Sequence, residues 1–218
     1  MLIDLHNHTW PLSLDSNMSP SALVERAKKA GLDGICLTEH DWFWAQPAVE
    51  RLCEQHDFLV LPGVELTTEE GHLLVFGLDS YVFGMHRASF VKESVQRADG
   101  AVIAAHPYRR QFKPEGDYGV PAYRDQVLHA CDNPALQMSD ALEVFNGRAS
   151  STENSFSLDV MEHLGMKGLA ASDAHDLTDV GACATHFDRR IRNVAELIEE
   201  LKAGRFHPAR FRGGHNGS

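Results

Sequence analysis

At 218 residues the chain has the length of one ordinary domain with a sizeable core, which excludes two full catalytic domains. Its 20 Lys and Arg against 31 Asp and Glu leave a net charge of −11, a surface that repels a polyphosphate backbone and excludes passive coating or stable binding of duplex nucleic acid. Hydrophobic residues at 43% and charged residues at 23% are globular values, and the longest apolar runs fall far below the roughly 18 residues of a bilayer span, so neither bulk disorder nor a membrane helix is expected.

The opening MLIDLHNHT places an aspartate and a histidine where a signal peptide needs a basic start and an apolar run, which points to a cytoplasmic protein. Cys36, Cys53, Cys131 and Cys183 are scattered without a CxxC pair and read as small apolar core residues in a reducing compartment. The anomaly is the 13 histidines.

Short apolar runs alternate with segments of helical period, the pattern of βα units around a parallel sheet. LIDLH, residues 2–6, is the first strand. A helix opens at Ser19-Pro20, with the serine as N-cap and the proline at the first helical position, and runs to Gly31. DGICLTEH is the second strand, PAVERLCEQH its helix, and FLVLPGVEL the third strand, with GHLLVFGL positioned to form a hairpin with it. A helix around FVKESVQRA leads into the strand AVIAAH. Residues 107–120 read as a long loop and YRDQVLHAC as a short helix. The strand DALEVFNG, the helix SSTENSFSLDVMEHLG, the strands MKGLAASDAH and GACATHF, and the amphipathic helix NVAELIEELKAG complete the order. No composition break marks a boundary, so residues 1–210 read as one domain, followed by a flexible tail at 211–218.

The histidines fall at strand ends. His6 and His8 close the first strand, His40 the second, Glu65 the third, and His72 opens the next. His106 closes AVIAAH, and Asp173 and His175 close GLAAS. In a (β/α) barrel these ends converge on one mouth. Residues at i and i+2 of a strand project to one side, so the pairs His6/His8 and Asp173/His175 each aim two donors at one point. Imidazoles with carboxylates suit Zn²⁺, Fe²⁺ or Mn²⁺, and the lack of clustered thiolates disfavours a structural zinc or an iron–sulfur cluster. The donors outnumber what one ion with an open position can use, which implies two or three ions bridged by a carboxylate.

HNHT, TEHD, GVEL, GHLLVFG, AAHP, EVFN and SDAH, in that order, resemble the PHP (polymerase and histidinol phosphatase) superfamily across residues 2–187. The resemblance implies an α/β fold, a distorted, TIM-barrel-like (β/α)7 barrel with its metal site at the C-terminal ends of the strands. It implies that His6, His8, Glu65 and Asp173 hold a first metal, with Glu65 bridging to a second on His72 and His106. A third falls to Asp15, His40 and His175, and Glu65 and Asp173 count as catalytic. The cofactors are then two or three divalent ions of Zn, Mn or Fe. The implied activity is hydrolysis of a small phosphoester (a nucleotide, an oligonucleotide or another phosphorylated small molecule) by a metal-bridged hydroxide. A histidinol-phosphate phosphatase, a non-catalytic metal-binding module and an amide hydrolase are the alternatives.

Arg109, three residues past His106, and Arg148, after the EVFN strand, are the candidates for binding phosphate oxygens, and Asn146 for donating a hydrogen bond to substrate. Trp10 and Trp42, with Phe43 and Trp44, follow metal motifs and could stack on a nucleobase. Glu39 and Asp41 flank His40 on the opposite side and read as supporting residues. His56, His129 and His163 sit near helix C-termini, where a cation suits the dipole. His86, His186, His207 and His215 lack such context, although His186 ends a strand and could reach the mouth. Nothing in the sequence sets the oligomeric state.

Overall fold

The computed structural model describes residues 1–109 and 120–210. The elements are β1 (Leu2–Asp4), α1 (Pro20–Ala30), β2 (Gly34–Leu37), α2 (Gln46–His56), β3 (Leu59–Pro62), β4 (Val64–Thr68), β5 (Gly71–Phe76), α3 (Ala88–Arg97) and β6 (Ala101–Ala104). There follow α4 (Val120–Ala130), α5 (Pro134–Gln137), β7 (Ala141–Asn146), α6 (Ser151–Leu164), β8 (Gly168–Ala171), β9 (Cys183–Phe187), α7 (Val194–Ala203) and β10 (Phe206–Arg210). Most of the expected loop at 107–120 and the whole tail at 211–218 lie outside the described residues.

Local chemistry sets the helix ends. Ser19 caps α1 by accepting from Ala22 N, and Gly31 closes it in the left-handed conformation. Ser150 and Glu153 form a reciprocal capping box on α6, and Asn193 and Gly204 bracket α7 in the same manner as α1.

Among the described residues the strands do not close into a barrel. They form two five-stranded sheets, ordered β10-β9-β1-β2-β3 and β4-β5-β6-β7-β8. Two features break the expected βα repetition. The final strands extend the first sheet in antiparallel fashion, β9 beside β1 and β10 beside β9 at the edge. The run read as one third strand divides at Gly63 into β3, paired with β2, and β4, which begins the second sheet. A Cβ on Gly63 would lie 2.7 Å from Cε1 of Phe76 and 3.0 Å from Cγ2 of Thr38, so glycine alone lets the chain cross there. Among the described residues the backbone bridges between the sheets are two isolated ones, Asn7 with Ala174 and His40 with Glu65.

The inner faces of both sheets share one apolar core, with Ile3, Leu5, Cys36, Leu74, Phe76, Ile103, Leu169 and Phe187 all buried. Burial of each large apolar side chain contributes roughly 1.5–3 kcal/mol, so the scaffold is held independently of the polar residues at the strand ends. Helices α1 and α2 cover β2 and β3, α3 covers β4 to β6, and α4 and α6 cover β6 and β7. Cys36, Cys131 and Cys183 are buried, Cys53 partly so, and no disulfide joins any of the four. Among the described residues no helix is long and apolar enough to cross a membrane.

Candidate metal centre

Both bridges between the sheets fall at one end of the molecule, and the polar strand ends gather around them. His6 and His8 follow β1, His40 follows β2, Glu65 lies on β4, His106 follows β6, and Asp173 and His175 follow β8. Strand β5 runs antiparallel to β4 and β6, so His72 reaches the same place from the start of its strand.

Four donor atoms there, His6 Nε2, His8 Nε2, Glu65 Oε2 and Asp173 Oδ1, are buried without a hydrogen-bond partner. They converge: Glu65 Oε2 is 3.3 Å from His6 Nε2 and 3.2 Å from His8 Nε2, and Asp173 Oδ1 is 3.6 and 3.4 Å from the same nitrogens. A tetrahedral ion with bonds of about 2.1 Å spaces its donors about 3.4 Å apart. Each unpaired buried polar atom costs about 1–3 kcal/mol, and one cation satisfies all four. The donor set therefore fits a divalent metal.

Glu65 turns its other oxygen, Oε1, to His72 Nδ1 at 2.8 Å and His106 Nε2 at 2.9 Å, so one carboxylate faces two groups of donors. Beyond them, Asp15 Oδ2 lies 3.0 Å from His175 Nε2 and 3.3 Å from His40 Nε2, while His40 Nδ1 reaches Glu65 Oε2 at 2.9 Å. All nine expected metal-binding side chains thus form one continuous cluster. Asp173 and His106 take positive φ values of 53° and 27°, a left-handed conformation that costs a non-glycine residue about 1–3 kcal/mol and concentrates at functional sites.

A surrounding layer orients the imidazoles. Glu143 of β7 places Oε1 3.3 Å from His6 Nδ1 and accepts from His106 N at 2.6 Å. Ser13 Oγ contacts His8 Nδ1 at 3.2 Å and donates to Glu39, which also accepts from Thr9 N at 2.8 Å, Thr9 Oγ1, and Trp44 Nε1 at 3.2 Å. With Nδ1 engaged, the Nε2 atoms of His6 and His8 face the centre. Glu39 therefore has the supporting place expected of it, and Asp41 likewise accepts from Thr67 N at 2.9 Å. Glu143 was not singled out in the sequence, and its signal there is a glutamate inside the apolar run ALEVFN.

The electrostatics favour a cation. Burial alone would lower the His6 pKa, but Asp173, Glu65 and Glu143 outweigh it and raise the value well above the ordinary 6.5. His40 is raised by Glu65 and Asp15 against the same penalty. Glu65 and Asp173 are lowered, since His6 and its neighbours outweigh burial. Beneath them, burial pushes the Asp4 carboxyl up to about 7. The raised histidines contribute stability that is fully present below about pH 6.5 and lost as pH rises through their folded values. Chelator-treated protein should therefore lose thermal stability as pH rises above about 6.5, and Zn²⁺ or Mn²⁺ should restore it by replacing the departing proton. Melting curves across pH with and without chelator check this, and a flat or rising midpoint in chelator contradicts it.

Of the remaining expected site residues, Arg109, Asn146 and Arg148 lie beside the same centre. Arg109 Nη1 pairs with Asp173 Oδ2, and Nη2 lies 3.4 Å from His106 Nε2. Asn146 is buried and donates from Nδ2 to Asp173 Oδ2 at 3.2 Å. Arg148 donates from its backbone to Asn146 Oδ1 at 2.9 Å, and its charge helps lower the His175 pKa, after burial and His8. Trp10 and Trp42 are more than half exposed. A cavity of about 180 Å³ adjoins His72, His106 and Arg109, with Glu70, Asn133 and Leu136 on its wall. His186 does not reach the mouth: β9 runs antiparallel to β1, so its last residues lie beside Leu2, at the far end of the sheet.

Residues 4–138 match the family model for the PHP domain, and residues 151–206 match the PHP-associated model. The second segment is woven into the fold through β8 on β7 and β9 on β1. The uncharacterized protein MJ1587 of Methanocaldococcus jannaschii is 28% identical over 126 residues, covering 54% of this chain and 74% of that one. The 5'-3' exoribonuclease Rnm of Salmonella typhimurium is 28% identical over 110 residues, 48% of this chain but only 37% of that protein. A solved two-domain protein of Bacteroides vulgatus, containing a predicted PHP-like metal-dependent phosphoesterase, superposes with a TM-score of 0.67 at 17% identity, over 96% of this chain and 64% of that one. With the PHP domain model spanning more than half of its residues, the chain belongs to the PHP domain family.

Proposed function

We propose that the chain hydrolyses a small phosphoester, with His6, His8, Glu65 and Asp173 holding one divalent ion. Glu65 extends to a second ion with His72 and His106, and Asp15, His40 and His175 hold a third. The convergence of four buried, unpaired donors at 3.2–3.6 Å carries this reading. Bound ions of Zn, Mn or Fe supply Lewis-acid neutralisation of phosphoryl oxygens and bring the pKa of water close to neutral.

The chain's own residues do the rest. Glu143 and the Ser13–Glu39 pair fix His6 and His8, and Asn146 holds Asp173. An acidic protein of net charge −11 must offset its own field where a phosphate arrives, and among the described residues Arg109 and Arg148 bring guanidinium groups close to the cluster. Arg109 already contacts Asp173, so it orients the carboxylate and offers its remaining N–H groups to a phosphate oxygen. The exposed rings of Trp10 and Trp42 suit stacking with the base of a nucleotide or short oligonucleotide, a choice the similarity to an exoribonuclease supports. The cavity of about 180 Å³ suits a small group beside the cluster.

Metal-reconstituted protein assayed against phosphomonoesters and phosphodiesters tests the reading. Turnover that chelator abolishes is expected, and no hydrolysis of either class at full metal occupancy would overturn it. Arg109→Ala should lower kcat/KM about 10–100-fold, as expected for a lost charge-assisted hydrogen bond. Arg109→Lys should recover part of the loss, because an ammonium lacks the two-pronged geometry. An unchanged kcat/KM in the alanine variant, with metal content measured in parallel, removes Arg109 from phosphate binding.

A further inference from the structure

A second group of donors lies away from the mouth. His186 on β9 faces His207 on β10 in direct antiparallel register, with ring centroids 4.5 Å apart. Asp188 follows His186 by two residues and places Oδ1 3.8 Å from His186 Nδ1 and 4.0 Å from His207 Nδ1. His186 Nδ1 is buried and has no hydrogen-bond partner. One donor atom from each of the three side chains lies within 4.8 Å of the others.

We infer that His186, Asp188 and His207 form a separate binding site for a divalent transition-metal ion such as Zn²⁺. Two imidazoles with one carboxylate make a three-ligand zinc site that leaves a fourth position for water. Donors on such an ion stand about 3.4 Å apart, so the observed 3.8 and 4.0 Å close by side-chain movements of about half an ångström. Cross-strand register fixes the two histidine backbones, which limits the entropy lost on binding. The site is independent of the catalytic cluster. His186 pairs with Leu2, and His6 lies four residues further on, roughly 13 Å along a strand.

The surroundings permit the charge. Burial, then the Met1 ammonium and His207, lower the His186 pKa, which leaves its ring neutral and ready to bind at physiological pH. The Met1 nitrogen lies 3.4 Å from His186 Nε2. Asp188 and Asp33 supply the opposing negative charge. An ion here ties β10 to β9, and β9 is the strand that joins β10 to the rest of its sheet.

The test uses the full chain, already loaded with metal at its mouth, titrated with Zn²⁺ and followed by elemental analysis and thermal melting. The parent should bind one equivalent more than H186Q/H207Q, and the extra equivalent should raise the melting temperature of the parent alone. H207Q, which alters only a largely exposed side chain, guards against misfolding and should weaken that last equivalent at least about tenfold. Phosphoester turnover should be the same in all three proteins, so this result stands apart from the outcome at the catalytic cluster. Equal stoichiometry in the parent and H186Q/H207Q, or an H207Q affinity within twofold of the parent, overturns the site.

Discussion

Asp173→Asn is expected to lower phosphoester turnover by at least about 10³-fold while the protein stays folded. Lowering the pKa of water from about 16 to about 7 is the term lost with the ion, and the Asp173 carboxylate faces His6, His8 and His106 together. The asparagine keeps the volume and can still accept from Asn146 and Arg109, so the apolar core shared by the two sheets is untouched. Turnover, bound metal and far-ultraviolet circular dichroism measured together separate the outcomes. A folded variant with parental metal content and parental rate would show that the assigned centre is not where hydrolysis occurs.

Glu65→Gln should give a different signature. Its Oε2 lies among His6, His8 and His40, and its Oε1 between His72 and His106. An amide keeps one acceptor oxygen and replaces the other with a donor, so it can serve one group of imidazoles and not both. The expected result is loss of one equivalent of metal with a fall in turnover of about 10²–10³-fold, where the ions that remain still orient substrate. Full metal content and full activity in this variant would remove Glu65 from its bridging role.

Much of this centre is legible in the sequence because its signals are local. The pairs His6/His8 and Asp173/His175 need only strand alternation to be aimed at one point, and Ser19, Gly31, Asn193 and Gly204 announce their helix ends by their own backbone chemistry. The misreadings are all long-range. FLVLPGVEL is apolar along its whole length, and the division at Gly63 is set by Phe76 on another strand. FHPAR, with a proline inside it, pairs as β10 only because β9 offers it an edge. Glu143 meets His6 across 137 residues of sequence. For His186, alternation says which face a side chain takes but not which way the strand runs, and the antiparallel course of β9 carries it to the base.

The seam between the two sheets bears on how the molecule moves. Among the described residues, backbone pairing across it is confined to two isolated bridges, yet His6, His8 and His40 belong to one side and Glu65, His72, His106 and Asp173 to the other. An ion bound at the mouth as proposed would act as a rivet across this seam. At a free ion concentration a thousandfold above the dissociation constant, such a rivet stabilises the closed form by about 4 kcal/mol. Breathing along the seam, and the amide hydrogen exchange of β1, β4 and β8 that it permits, would then follow the metal supply of the surroundings.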